Sequence, residues 1–395
     1  MKLTRRSFVQ SASAMVAISS TGSKAFAQTT SIQIGFMGGL TGPNSSFGIQ
    51  YLRGAQFAVD EIRGAGKAGP AVELVPRDTQ GDPTKAVNAA QEMISRLKTN
   101  VILGPSGTGE SLAIMGIMAR AKMPNLNPTS ADAIIDAAKY PNAFRVAGHI
   151  AQWDEAVRFY CTQILKSKSI AVIGDNGGFG TTAVTQTVAA LKASGIQVAY
   201  QAQVDPNQPD LRPDLLRARE GGATAVIVWT SALGLATRMM NARAAINWDV
   251  PFVGHPGLGI GDILRLLDKP SNWENVYIVT NKSCCFDDAG KLPSRTEEFV
   301  QKLKRKNVQI SDSTLWWIGC GHDSVELMTA AVKETGSTKA EALIKYWEAL
   351  GAFPGISGDF KFSPKEHNGL PTAQLAMARA NSQKNGCFTL APGYS

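Results

Sequence analysis

From Ile32 onward, short apolar runs alternate with amphipathic ones, the pattern of a parallel sheet flanked by helices. The first series predicts a strand over 31–37, then a helix over 51–62 that puts Leu52, Ala55, Val59 and Ile62 on one face. Strand 72–75, helix 83–97, strand 101–103 and helix 111–121 complete it. A second series follows Arg145, with helix 153–165, strand 170–173, helix 181–193 and strand 197–203. Helix 211–219, strand 225–228, helix 235–246 and strand 252–254 extend it. Later segments read as helices over 295–306, 313–334 and 340–350, with extended structure resuming at 358–362. Two like series in tandem predict an α/β protein of two similar lobes, each a doubly wound parallel sheet. The cleft between their strand ends is where such sheets bind ligands.

The first residues break this pattern. Thr4-Arg5-Arg6-Ser7-Phe8-Val9-Gln10 reads as a twin-arginine export signal, followed by a mildly apolar run over 12–18 and the small-residue cleavage pattern Ala25-Phe26-Ala27. A signal peptide over 1–27 and a mature start at Gln28 are expected, with export of the folded protein to the periplasm. No other segment has the roughly 18 consecutive apolar residues that span a bilayer, so a soluble periplasmic product is expected.

Cleavage would remove Lys2, Arg5, Arg6 and Lys24 and no acid, lowering the formal net charge from +8 to +4. That mild excess suits anionic solutes. Nucleic-acid binding calls for a basic stripe with interleaved aromatics, which is missing, and the dense basic run 302–306 reads as the wet face of a helix. At 395 residues the chain exceeds what one core supports, which again implies two lobes.

Five cysteines, Cys161, Cys284, Cys285, Cys320 and Cys387, leave at least one unpaired within a monomer in an oxidising compartment. The adjacent Cys284 and Cys285 have separate fates, given the geometry a disulfide needs. No C-x-x-C occurs and the four histidines have no zinc spacing, so neither metal nor cofactor is expected.

Three loops have the composition of ligand sites. Gly104-Pro105-Ser106-Gly107-Thr108-Gly109-Glu110-Ser111 follows a strand and opens a helix. Its glycines allow close backbone approach, and its hydroxyls and free N–H groups suit a carboxylate, although a plain capped turn has the same look. It lacks the residues of a phosphate loop and of a dinucleotide fingerprint. Asn127-Pro128-Thr129-Ser130-Ala131-Asp132 is a second candidate, in which Ser130 or Asp132 could instead cap a helix. Gly174-Asp175-Asn176-Gly177-Gly178-Phe179-Gly180 places Phe179 at the opposing rim, to close over an apolar ligand body or to pack locally. For catalysis, G-x-S-x-G is absent and no His sits in a recognisable base position. Asp287-Asp288 reads as a solvated acidic pair. An exported hydrolase is the weaker reading, and no enzymatic activity is expected.

Together these segments resemble the periplasmic solute-binding proteins of the branched-chain amino acid and amide ABC importers, the leucine-binding-protein-like family. The resemblance covers nearly the whole mature chain. It rests on Ile34-Gly35 to Leu40-Thr41-Gly42-Pro43 with Phe47-Gly48, Gly54-Ala55 with Ala58-Val59-Asp60-Glu61-Ile62, and Asp78-Thr79-Gln80-Gly81-Asp82-Pro83 with Ala86-Val87. Gly104-Pro105-Ser106, Asn127-Pro128-Thr129-Ser130, Phe144-Arg145 and Phe252-Val253-Gly254 continue it.

The resemblance implies a type I periplasmic binding fold, with three crossovers near Arg145, Asn281 and Ser357 and a hinge that closes on ligand. The implied lobes are 28–145 plus 281–356 and 146–280 plus 357–395, in a monomer that serves an ABC-transporter membrane permease. In the amino acid binders of this family a hydroxyl residue at the place of Thr108 and a threonine at the place of Ala131 hold the ligand carboxylate. Main-chain carbonyls at the places of Ser106 and Thr129, and an acidic side chain after the second-lobe Phe-x-Gly strand, hold its ammonium.

Here the acidic position falls on Pro256, so the usual counter-ion is missing, and an ammonium buried without a partner costs several kcal/mol. Ala131 lacks the hydroxyl, which neighbouring Ser130 could supply. Phe47 and Phe179 replace frequent tyrosines, Ser231 stands where another tyrosine is common, and Trp229, directly after the strand 225–228, is a further candidate. The ligand expected is therefore a small carboxylate without an α-amino group, an aromatic or other hydrophobic acid. A branched-chain amino acid or amide is the alternative, if Glu110 or Asp175 supplies the charge. A periplasmic ligand sensor uses the same fold.

Overall fold

The computed structural model describes residues 31–42, 44–64, 70–310 and 314–394; the twin-arginine signal peptide expected over 1–27 lies outside them. Strand β1 (Ser31–Gly38) is buried from Ile34 to Gly38, as befits a strand covered on both faces. It leads to α1 (Ser45–Gly64), β2 (Ala71–Asp78), α2 (Pro83–Glu92), β3 (Val101–Leu103), α3 (Thr108–Arg120), β4 (Asn125–Asn127) and β5 (Ala143–Arg145). These five strands form one parallel sheet in the order β2-β1-β3-β4-β5. Asp82 caps α2 by accepting from the Lys85 N–H at 2.9 Å, with Pro83 at the first helical position, where its missing N–H costs nothing.

The second lobe runs through α4 (Ile150–Phe159), β6 (Ser169–Asp175), α5 (Gly178–Ala193), β7 (Gln197–Val204), α6 (Arg212–Glu220), β8 (Ala225–Trp229), α7 (Leu233–Ala245), β9 (Phe252–Gly254), α8 (Ile263–Leu266) and β10 (Val276–Asn281). The chain continues as β11 (Cys285–Phe286), α9 (Ser294–Arg305), α10 (Leu315–Thr335), α11 (Ala340–Glu348), β12 (Phe353–Pro354), β13 (Asp359–Phe360), β14 (Leu375–Arg379) and β15 (Phe388–Thr389). The second sheet has the order β14-β10-β9-β8-β6-β7, with β14 antiparallel to β10. Helix α10 returns to the first lobe and lies on α1. Gly54 and Gly321 leave no room for a Cβ there, since each faces the partner helix's backbone, at Ile318 and Tyr51.

The positions expected at the crossovers are each tied to a distant segment. Arg145 accepts from Gly369 N and donates its own N–H to the His367 carbonyl, at 3.0 and 2.8 Å, while the Asn281 amide donates to the Ser357 carbonyl at 2.7 Å. The Arg145 side chain, wholly buried, reaches the Ala131 carbonyl and lies 3.5 Å from Asp132.

Two departures from the sequence pattern have clear causes. Helices α1, α3 and α5 begin three to six residues before the predicted starts at 51, 111 and 181, because their first turns, SSFG, TGES and GFGT, are mostly Gly, Ser and Thr around Phe47, Glu110 and Phe179 and carry no apolar period. Strand β14 (Leu-Ala-Met-Ala-Arg) has no β-branched or aromatic residue and exists by pairing with the distant β10, a tertiary override of weak propensity.

Candidate functional site

Asp78 at the end of β2 organises the loop after β1: its Oδ1 accepts from Leu40 N and Gln80 N at 2.8 Å each, and its Oδ2 from the Thr41 hydroxyl at 2.7 Å. The Ser106 hydroxyl accepts from Gly39 N at 3.0 Å, joining that loop to the β3–α3 turn. Behind the turn a buried amide network holds β3 against β4. The Asn125 side chain donates to the Ile102 and Gly104 carbonyls at 2.9 and 2.7 Å, and Asn127 donates to Ser111 Oγ at 3.1 Å. The Thr129 hydroxyl closes the network by donating to Asn127 Oδ1 at 2.6 Å.

These loops and their counterparts on the second lobe enclose a cavity of about 360 Å³ at the carboxyl ends of the strands, the place where open α/β sheets bind ligands. Of the residues expected at the site, Phe47, Ser106, Thr108, Thr129, Ser130, Phe179 and Ser231 line it. Ala131, Trp229 and Pro256 do not. Ala131 lies behind Ser130 with its carbonyl held by Arg145. Trp229 is buried beneath Phe179, ring centroids 6.2 Å apart, with its indole N–H on the Thr187 hydroxyl at 2.9 Å. Pro256 opens a 3-10 turn, Pro256–Gly259, leaving His255 as the residue that reaches the cavity.

Trp153, His255 and Trp317 also line the cavity, and the sequence pattern does not mark them. His255 was within reach, being one position from the aligned Pro256. Trp153 and Trp317 read as ordinary apolar positions of helices, and only the folding of α10 back onto α1 brings Trp317 to the site. There its indole N–H donates to the Phe47 carbonyl, and its ring packs edge-on to Phe47 at 5.0 Å.

The result is an aromatic wall from both lobes. The His255 ring lies 4.6 Å from Phe179 and 5.3 Å from each of Phe47 and Trp153. Burial pushes the His255 pKa down to about 3, so the ring is neutral. Its Nδ1 accepts from Gly257 N at 3.0 Å, which leaves the proton on Nε2.

Two carboxyl groups line the same cavity. Asp175 is engaged within its own lobe, accepting from Gly177 N at 3.0 Å and Ser231 N at 3.4 Å; burial raises its pKa against these bonds. Glu110 sits in the first turn of α3, 1% exposed, with neither oxygen in a well-formed hydrogen bond. Burial pushes its pKa up to about 7, opposed by the Thr79 hydroxyl and Gly107 N–H and reinforced by Asp78 and Asp82. Among the described residues, no lysine or arginine lines the cavity. Helices α3 and α5 turn their N-termini to it: their first turns meet across the cleft at Gly109 and Gly178, and their N-caps, Gly107 and Gly177, have no side chain to cap the first amides, although Asp175 accepts from Gly177 and Gly180 N–H.

The lobes touch around this space: Ser231 Oγ and Asn44 Oδ1 form a hydrogen bond of 3.1 Å between them. A model of the family described as periplasmic binding protein matches residues 31–386. The chain belongs to the periplasmic binding protein family. Its fold is the type I periplasmic binding fold, as in a branched-chain amino acid transporter substrate-binding protein from Streptococcus pneumoniae in complex with isoleucine. That structure is 20% identical with a TM-score of 0.77, over 91% of this chain and 98% of that one. An ABC-transporter solute-binding protein from Rhodopseudomonas palustris in complex with 4-hydroxybenzoate is 19% identical with a TM-score of 0.76, over 91% and 95%. Among relatives in this periplasmic binding protein family, a Leu/Ile/Val-binding protein homolog from Brucella melitensis is 26% identical over 83% of this chain and 86% of its own length. Among the described residues, no group of three or more His, Cys, Asp or Glu side chains is placed to hold a metal ion, and no helix is long and apolar enough to cross a membrane.

Proposed function

We propose that this chain is the extracytoplasmic solute-binding component of an ABC importer, capturing a small aromatic or hydrophobic acid that lacks an α-amino group. In this reading the twin-arginine segment over 1–27 delivers the protein to the periplasm. The lobes 28–145 with 281–356 and 146–280 with 357–395 close on the ligand, and the closed monomer docks on a membrane permease without turning the solute over. Closure follows from differential affinity: the ligand contacts both lobes only when they meet.

The observation that carries the ligand class is His255. At the end of β9 stands a neutral ring inside an aromatic cluster, which offers an ammonium no charge and an aromatic ring edge and face contacts. The converging amides of α3 and α5, with the Thr108 and Ser130 hydroxyls on the same wall, suit a carboxylate. The bound ligands of the two structural relatives, isoleucine and 4-hydroxybenzoate, span both alternatives.

A branched-chain amino acid or amide is the second reading, favoured by Glu110, whose unsatisfied carboxyl at the cavity edge would serve an ammonium when ionised. A thermal-shift screen separates the two, because a ligand that binds only the folded state raises the melting temperature by mass action. Benzoate-like and aliphatic acids are expected to stabilise the protein, and leucine, isoleucine and valine are not. Strong stabilisation by leucine with none from the acids would overturn the first reading. Chemical conversion of the bound solute would overturn both.

A further inference from the structure

All five thiols are buried and unbridged, yet two of them are matched across a strand pair. We propose that Cys284 and Cys387 form a disulfide under oxidising conditions, stapling the crossover after β10 to the C-terminal segment. Strands β11 and β15 are parallel, with Cys285 opposite Phe388 and Phe286 opposite Thr389. One residue before each strand, at the end of the 3-10 turn Lys282–Cys284 and just ahead of β15, stand Cys284 and Cys387.

Matched residues of adjacent strands point to the same face, and the packing agrees. Cys284 and Cys387 both enter the large core that includes Leu315 and Cys320. Cys285 and Phe388 both enter the second-lobe core beside Ile278 and Phe252. The Cys284 and Cys387 thiols lie within reach of each other, and their mutual hydrogen bond, ahead of burial, raises the Cys387 thiol well above its ordinary range. Neighbouring strands are about 4.8 Å apart, inside the Cα separation of roughly 4.4–6.8 Å that a disulfide spans.

The other thiols are worse partners for Cys284. Cys285 points to the opposite face, and Cys320 is engaged with the Val146 carbonyl at 3.1 Å and the Ser357 hydroxyl at 3.4 Å. The oxidant is a small or protein disulfide, the class available in an oxidising compartment. One thiolate attacks it, forming a mixed disulfide and releasing one thiol. The second thiolate then attacks the protein sulfur of that mixed disulfide, releasing the second thiol. Two electrons pass to the oxidant, and the two protons of Cys284 and Cys387 end on the released thiols. Because both sulfurs are buried, the exchange runs through local opening of the two-residue strands β11 and β15. The bridge would close a loop of roughly 100 residues, toward the upper end of the range of disulfide stabilisation.

The test uses the mature chain, reduced and then incubated with oxidised glutathione, so that neither export nor ligand enters the result. Alkylation in denaturant, with and without reductant, and peptide mapping are expected to show two of the five thiols protected and residues 284 and 387 linked. The melting temperature is expected to rise by roughly 5–10 °C. Cys285→Ser should keep the link and Cys284→Ser should abolish it. Five alkylated thiols, a glutathione adduct without a bridge, or a link through Cys285, Cys320 or Cys161 would each overturn the proposal.

Discussion

Gly178 in the first turn of α5 abuts Gly109 in the first turn of α3 so closely that a Cβ on Gly178 would sit 2.9 Å from the Gly109 nitrogen and 3.0 Å from its Cα. Real Cβ atoms do not approach backbone at that distance, so the two helix N-termini meet only because residue 178 is glycine, whereas a Cβ on Gly109 would meet nothing within 4 Å. The first prediction follows from this contact. Gly178→Ala should leave each lobe folded but hold the cleft partly open, because overpacking of this kind costs about 1–3 kcal/mol. Ligand affinity is expected to fall by roughly 5–150-fold. Scattering with saturating ligand would then give a larger particle than wild type, and an unchanged affinity and radius would contradict the contact.

The second prediction concerns Thr108, whose hydroxyl lines the cavity beside the α3 amides. Thr108→Ala should weaken an acid ligand by about 1–3 kcal/mol, the usual loss for a hydrogen bond to a charged group. Calorimetry with the best acid from the screen measures it, and wild-type affinity in the variant would remove Thr108 from the site.

Glu110 supplies the third. Its pKa in the folded protein is about 7, raised from the ordinary 4.5 chiefly by burial. The folded state therefore binds the proton more tightly than the unfolded chain does. This favours folding below pH 4.5 no more than at 4.5, but stability declines as pH rises from about 4.5 to about 7 and then levels off. Glu110→Gln should flatten that decline, adding on the order of 3 kcal/mol near pH 8 and little near pH 4; denaturant melts at the two pH values decide it.

The same group discriminates ligands. An acid bound nearby favours protonated Glu110, so its affinity should fall as pH rises through 7. An amino acid whose ammonium pairs with ionised Glu110 should bind more tightly over the same range. Calorimetric titrations between about pH 6 and pH 8 separate the two slopes, and a flat profile for both would place Glu110 outside the binding equilibrium.

The fifth prediction tests the leader. Replacing Arg5 and Arg6 together with Lys should retain the precursor inside the cell, because the pathway reads the pair. Fractionation measures it, and undiminished mature protein in the periplasm would refute twin-arginine export.

Much of this protein is legible in its sequence. Alternation of apolar and amphipathic runs determines the two wound lobes, because parallel strands buried on both faces need continuous apolar character and their covering helices need one apolar face. Glycine, serine and threonine after β3 and glycines after β6 mark the loops that line the cavity, because small residues let backbone amides come close to its space. What sequence alone does not determine is which of those residues converge. His255, not Pro256, reaches the cavity because Pro256 opens a 3-10 turn. Trp317 arrives there on α10, far along the chain, because Gly54 and Gly321 let that helix close onto α1. β14 is a strand only because β10 offers it an unpaired edge. Such outcomes depend on backbone hydrogen bonds and close packing between distant segments, which leave no period in the local pattern of apolar and polar residues, and so the tertiary structure alone decides them.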